Sequence, residues 1–117
     1  MKVTIFHNPR CSKSRETLKL LQAQGIEPEI MEYLKTPLSF AQLEDILEKL
    51  NFQPRELMRT KEPEYTELGL DDESLSHEDL INSMIHHPKL IERPIVLANN
   101  QAAIGRPPEA VLAILNL

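Results

Sequence analysis

Apolar and polar positions along this chain fall into blocks whose period changes from two to about 3.6 and back. Lys2–His7 (KVTIFH) is β-branched and aromatic and predicts a buried first strand, broken at Asn8-Pro9. A helix is predicted from about Ser12 to Gln24, with Leu18 and Leu21 on its apolar side and Gly25 as the stop. Glu29–Tyr33 reads as a second strand, and a strand–helix–strand unit of this length implies a right-handed parallel crossover.

The middle of the chain carries helical spacing. Ser39-Phe40-Ala41-Gln42 is a capping box ahead of apolar Phe40, Leu43, Leu47 and Leu50. Pro54 suits the first turn of a short helix carrying Leu57 and Met58. Pro63 and Gly69 are expected to break the next stretch, and Ser76 to cap a helix bearing Leu80, Ile81, Met84 and Ile85 before Pro88 limits it.

The last third returns to strand patterning. Pro94–Ala98 predicts a strand, Asn99-Asn100 a tight turn because Asn tolerates positive φ, and Gln101–Ile104 the returning strand. Pro107-Pro108-Glu109 then opens a final helix with Val111, Leu112, Ile114 and Leu115. The fold class expected is α/β: a mixed sheet in the thioredoxin-like order, with a helical insert between a β-α-β half and a β-β-α half. No repeat or linker interrupts it, so residues 1–117 are expected to form a single domain.

Length, composition and charge narrow the classes. A chain of 117 residues, 41% hydrophobic and 26% charged, has the make-up of one globular domain. No apolar run approaches the ~18–20 residues that span a bilayer. The start, MKVTIFHNPRCSKS, turns polar too early for a secretory signal, so a cytoplasmic location without membrane attachment is expected. Thirteen Lys and Arg against eighteen Asp and Glu argue against a nucleic-acid partner, which usually requires a basic face.

Charge is unevenly placed. Eight acids and no Lys or Arg lie between Glu62 and Asp79, a segment expected to be a solvated face. After Lys61 only Lys89, Arg93 and Arg106 are basic, and both arginines precede proline. Isolated arginines at rigid loop positions suit an anion, and suit ordinary solvation equally well.

The one cysteine, Cys11, excludes an intramolecular disulfide framework and a Cys-rich zinc site. It falls where the first strand ends and the first helix begins, where free N–H groups and the helix dipole favour a thiolate and a bound oxyanion. Its polar flanks, with Arg10, Lys13 and Arg15 nearby, suit a reactive thiolate better than a core residue. A dithiol motif would need Cys at position 14, which is Ser14. A cysteine-phosphatase loop would need Arg at position 17, which is Thr17. What remains is a monothiol nucleophile with a borrowed reductant. His7, four residues earlier, is placed to stabilise the thiolate or to order the loop. Ser12 and Ser14 suit caps and loop hydrogen bonds. His86 and His87, adjacent on a helix, point in different directions, so no metal site is expected.

Three segments in order resemble one family. His7-Asn8-Pro9-x-Cys11-x-x-Ser14-Arg15 is similar to the active-site loop of the glutaredoxin/glutathione-coupled arsenate reductases. Glu56-Leu57-Met58-Arg59, followed by Glu62-Pro63 and Tyr65, resembles that family's middle arginine segment. His87-Pro88-x-Leu90-Ile91-x-Arg93-Pro94-Ile95-Val96, with Arg106-Pro107 beyond the hairpin, resembles its C-terminal signature. The resemblance implies the thioredoxin-like fold, Cys11 as nucleophile, Arg59, Arg93 and Arg106 as oxyanion-binding arginines, and His7 as the histidine influencing the thiol. Asn8, Ser14 and Arg15 support the loop, and Pro94 corresponds to the cis-proline of thioredoxin-like folds. It further implies a monomer acting on arsenate, with no bound cofactor, glutathione as co-substrate and glutaredoxin as partner.

Arg10 departs from the family pattern, where a small residue commonly precedes the nucleophile. Two relatives of the same superfamily supply alternatives. One is a glutathione-linked thiol oxidoreductase acting on another substrate. The other is a thiol-sensing regulator that binds RNA polymerase, whose usual second cysteine is replaced here by Ser14.

Overall fold

The structure is a computed structural model and describes residues 1–116. The elements follow the order β1 (Val3–Phe6), α1 (Ser12–Ala23), β2 (Glu29–Met31), α2 (Phe40–Leu50), α3 (Pro54–Leu57), α4 (Pro63–Glu67) and α5 (His77–His86). They continue with a 3-10 turn at Pro88–Leu90, β3 (Ile95–Ala98), β4 (Gln101–Ile104) and a 3-10 helix at Pro108–Ile114. The chain forms two compact units. One combines Met1–Thr36 with the segment from Arg93 onward, and the other is Pro37–Glu92.

The first unit holds a four-stranded mixed sheet in the order β2-β1-β3-β4. β1 runs parallel to β2, with Ile5 opposite Ile30, and antiparallel to β3, with Ile5 opposite Val96. β3 and β4 form the expected hairpin, its turn made by Asn99 and Asn100 at φ 52° and 61°. Two residues at positive φ match the right-handed strand twist, which is why Asn serves here. Side chains alternate across a strand, so Val3 and Ile5 share a face. They pack there with Val96, with Leu21 of α1 and with Val111 of the C-terminal helix.

That last helix differs from expectation: it is 3-10, not α. Its buried positions, Pro108, Val111 and Ile114, recur every three residues, and only a three-residue turn stacks all of them on one line. β2 is also shorter than expected. The chain turns at Glu32, whose carbonyl accepts from the Lys35 and Thr36 N–H groups at 3.0 Å, and Tyr33 is buried.

The second unit is helical. Ser39 caps α2 in a full capping box with Gln42, and Ser76 caps α5 in one with Asp79. α2 buries Leu43, Ile46 and Leu47, and α5 buries Leu80, Ile81 and Met84. Pro63 does not break the chain as expected but opens α4, because its missing N–H costs nothing at the first helical position. Gly69, at φ +70°, makes the turn that follows.

The acidic segment is not uniformly solvated. Six of its eight acids are exposed, but Glu62 and Glu64 are half-buried and paired with Arg59 and Lys89. The Arg55 guanidinium pins the segment from within. It donates to Tyr65 Oη at 2.7 Å, to the Asp72 carbonyl at 2.7 Å and to the Leu70 carbonyl. Among the described residues no helix is long and apolar enough to cross a membrane.

Candidate active site at the mouth of the first helix

Cys11 is the N-cap residue of α1, in extended backbone geometry (φ −94°, ψ 124°), and no acid occupies the first turn. Its N–H donates to the Asn8 carbonyl at 3.0 Å, and its carbonyl accepts the first helical bond from Arg15 N–H, also 3.0 Å. The side chain, half-buried, therefore stands beside the unspent N–H groups of the helix start.

Burial is the largest influence on the thiol and pushes its pKa up. It is outweighed by the Ser14 N–H, the Arg93 charge, the Lys13 N–H and a hydrogen bond from the Arg93 side chain. The net result is a thiol held below its ordinary pKa, a thiolate favoured by two peptide groups and one guanidinium. This is where expectation and structure part in detail. The leading cationic influence comes from Arg93, distant in sequence, and not from neighbouring Arg10, Lys13 or Arg15. The Lys13 ammonium instead pairs with Glu16 at 3.4 Å, and Arg15 Nη1 reaches back to the Pro9 carbonyl at 3.0 Å.

The loop before the nucleophile is stitched by Ser14. Its hydroxyl lies 2.6 Å from His7 Nδ1 and accepts from Asn8 N–H at 3.0 Å. The Asn8 side chain then takes the Arg10 N–H at 3.0 Å. His7 is buried, and burial lowers its pKa; Glu32 opposes that and Arg15 adds to it. The neutral ring so favoured shares a hydrogen bond with the Ser14 hydroxyl at Nδ1. His7 is thus tied to Ser14, the residue that also holds the Asn8 N–H. A hollow of about 260 Å³ flanks this loop, lined by His7, Asn8, Pro9, Arg10, Glu32, Leu34 and Lys35.

Arg93 is joined to the buried Pro94 by a cis peptide, as the resemblance implied, and Arg106 precedes a second cis-proline, Pro107, that the sequence did not announce. Arg106 is exposed at the end of β4. Arg59 belongs to the helical unit, where its Nη2 pairs with Glu62 and its Nη1 donates to the Lys89 carbonyl at 3.2 Å.

Two residues not singled out from sequence hold this region together. Thr17 is fully buried; its hydroxyl donates to the Lys13 carbonyl at 2.8 Å and lies 3.5 Å from the Gly105 carbonyl. Gly105 N–H in turn donates to the Pro94 carbonyl at 2.9 Å. A Cβ at position 105 would run into Thr17 Oγ1 and lie 2.8 Å from Pro94 Cγ. The glycine is needed for close approach of α1 to the cis-proline strand, and its place just before Arg106 was the only hint. Among the described residues no cluster of three or more His, Cys, Asp or Glu side chains is arranged to hold a metal.

Comparison with known proteins agrees with this geometry. The ArsC family model matches residues 6–114. The uncharacterised protein YfgD of Escherichia coli K12 is 60% identical over 97% of this chain and 96% of its own. A protein of Neisseria meningitidis serogroup A named arsenate reductase is 50% identical over 97% of each chain. The solved structure of an arsenate reductase from Vibrio cholerae superimposes with a TM-score of 0.96 at 53% identity, covering 98% of both chains. A lone cysteine at the mouth of α1, a cis-proline strand that brings Arg93 to it, and similarity running nearly end to end leave one assignment: the chain belongs to the ArsC family.

Proposed function

We propose that the protein is an arsenate reductase that uses Cys11 as its own thiol and takes the second from glutathione. One observation carries the reading: a helix-mouth cysteine whose thiolate is favoured by the Ser14 and Lys13 N–H groups and by Arg93. The half-identity to a protein named arsenate reductase supports it.

The thiolate attacks arsenic(V), an S–As bond forms, and the displaced oxygen leaves as water after protonation. Arg93 and Arg106, of the unit that carries Cys11, supply planar, charge-assisted donors to the arsenate oxygens. A glutathione thiolate then attacks Cys11 Sγ. The S–As bond breaks with its electron pair on arsenic, which departs as arsenite, and a Cys11–glutathione disulfide remains. A glutaredoxin thiol attacks the glutathione sulfur and returns Cys11 as thiolate. Overall, arsenate and two thiols give arsenite, a disulfide and water. With one cysteine in the chain the second thiol has to come from outside, which suits a monomer in a reducing, cytoplasmic setting.

The test is arsenate-dependent NADPH oxidation with glutathione, glutaredoxin and glutathione reductase. The expected result is turnover that Cys11→Ser abolishes. Full activity in that variant overturns the covalent mechanism. A Cys11–glutathione disulfide that glutaredoxin reduces, without arsenate turnover, would move the protein to a thiol oxidoreductase with another substrate.

A further inference from the structure

Arg10 precedes the nucleophile and takes no part in ionising it. The groups that hold Cys11 ionised are the Ser14 and Lys13 N–H groups and Arg93, and Arg10 is not among them. Of the other two cations beside the thiol, Lys13 pairs with Glu16 at 3.4 Å and Arg15 Nη1 donates to the Pro9 carbonyl at 3.0 Å. Arg10 is exposed, and among the described residues its guanidinium makes neither kind of contact. Its backbone is nonetheless fixed, because Asn8 Oδ1 accepts the Arg10 N–H at 3.0 Å.

Arg10 lines the hollow of about 260 Å³ that flanks the loop, together with Glu32, Lys35, Leu34 and Pro9. All of these belong to the unit that carries Cys11. Lys35 Nζ lies 3.4 Å from Glu32 Oε1. Leu34 is 43% exposed, an apolar surface among these charges. The hollow therefore offers two cations, one carboxylate and a short apolar wall. It is smaller than the ~300–1,000 Å³ of sites that enclose a whole small molecule, so it suits one end of a ligand.

Glutathione carries the matching set. At neutral pH it has two carboxylates and one α-ammonium. Its γ-glutamyl end bears a carboxylate and the ammonium on one carbon, a pair that a guanidinium and a carboxylate in the same hollow can receive together. Arg10 and Cys11 have Cα atoms about 3.8 Å apart, and an extended tripeptide spans about 10 Å, so the thiol at its middle is within reach of Cys11.

We propose that this hollow seats the γ-glutamyl end of glutathione: Arg10 takes its α-carboxylate and Glu32 its α-ammonium, with Lys35 leaving the hollow net positive for an anionic tripeptide. Arg10 then selects the second thiol and does not activate the first. This rests on the reading above that glutathione supplies that thiol.

The test needs no arsenate. With glutathione disulfide, the Cys11 thiolate attacks one sulfur, the S–S bond breaks, a glutathione thiolate leaves and a Cys11–glutathione disulfide remains. The same tripeptide is thereby brought to the same sulfur. Rates are compared with hydroxyethyl disulfide, which is neutral, and with dithiodiglycolate, which is anionic and has no ammonium. Arg10→Ala is expected to slow glutathione disulfide about tenfold, the scale of one charge-assisted contact. It slows dithiodiglycolate about threefold at most, through charge alone, and leaves hydroxyethyl disulfide within about twofold. Arg10→Lys recovers part of the loss. Glu32→Gln slows glutathione disulfide about threefold and does not slow dithiodiglycolate.

Equal slowing of all three disulfides by Arg10→Ala would assign Arg10 to the thiolate itself and overturn the proposal. Equal slowing of the two anionic disulfides would reduce Arg10 to steering by charge and overturn it as well. So would a glutathione disulfide rate unchanged in Arg10→Ala or in Glu32→Gln, or no reaction of wild type with glutathione disulfide. Selective loss without arsenate turnover would keep the subsite and remove the reductase reading. Glutathione-dependent arsenate turnover without selective loss would keep that reading and remove the subsite.

Discussion

At the Cys11 sulfur, burial and polar contacts pull in opposite directions, and the polar contacts prevail. Arg93 enters twice, as a charge and as a hydrogen-bond donor, so it is the single side chain on which the thiolate most depends. Measured as the rate of alkylation against pH, the reactivity midpoint of Cys11 is expected below that of an ordinary thiol. Arg93→Ala moves that midpoint to higher pH, since the charge and hydrogen bond that favour the ionised form are both removed. An unchanged profile would leave the helix-mouth N–H groups as the whole cause. The local flanks point to Arg10, Lys13 and Arg15 as the cations, because sequence adjacency is the only proximity a chain displays before it folds.

The elements themselves were largely readable, for reasons confined to a few residues each. Capping boxes at Ser39–Gln42 and Ser76–Asp79 satisfy helix N–H groups locally, and the Asn99-Asn100 turn needs only backbone tolerance of positive φ. Where elements touch, local rules lose force. Gly105 is the clearest case: its backbone is ordinary, and what forbids a side chain is the approach of Thr17 and Pro94. Gly105→Ala is expected to cost about 1–3 kcal/mol in urea denaturation, the usual price of overpacking a closed site. Adding Thr17→Ala, which clears the hydroxyl and methyl facing position 105, should recover part of that loss, whereas two additive losses would show that the clash is not the cause. The C-terminal 3-10 helix teaches the same point, since the spacing of Pro108, Val111 and Ile114 had a three-residue period that a search for 3.6 overlooks.

For the molecule as a whole, the buried imidazole of His7 ties stability to pH. Its pKa in the fold lies below its ordinary value near 6.5, first because of burial. In the interval between the folded and the ordinary value the unfolded chain binds more protons, so stability rises with pH across it. The contribution is fully present above about 6.5 and is lost progressively as pH falls toward the folded value. Thermal melts of wild type should therefore lose stability below that point. His7→Gln, which does not titrate, should show a shallower loss over the same range, and equal slopes would remove His7 from the account. The loop stitched by Ser14 to the neutral ring is expected to loosen with it, linking acid sensitivity to the nucleophile's seat.

The path of the chain is also visible only at this scale. The unit that carries Cys11 and Arg93 is assembled from both ends of the polypeptide, with the helical unit between them in sequence. From its residues alone the chain declared its strands and helices, its lone thiol at a helix mouth and its family, because those depend on short-range pattern and on three motifs in order. Folding decided which cation reaches the sulfur and why residue 105 is glycine. Those outcomes depend on distances between residues far apart along the chain, and close packing sets such distances one contact at a time.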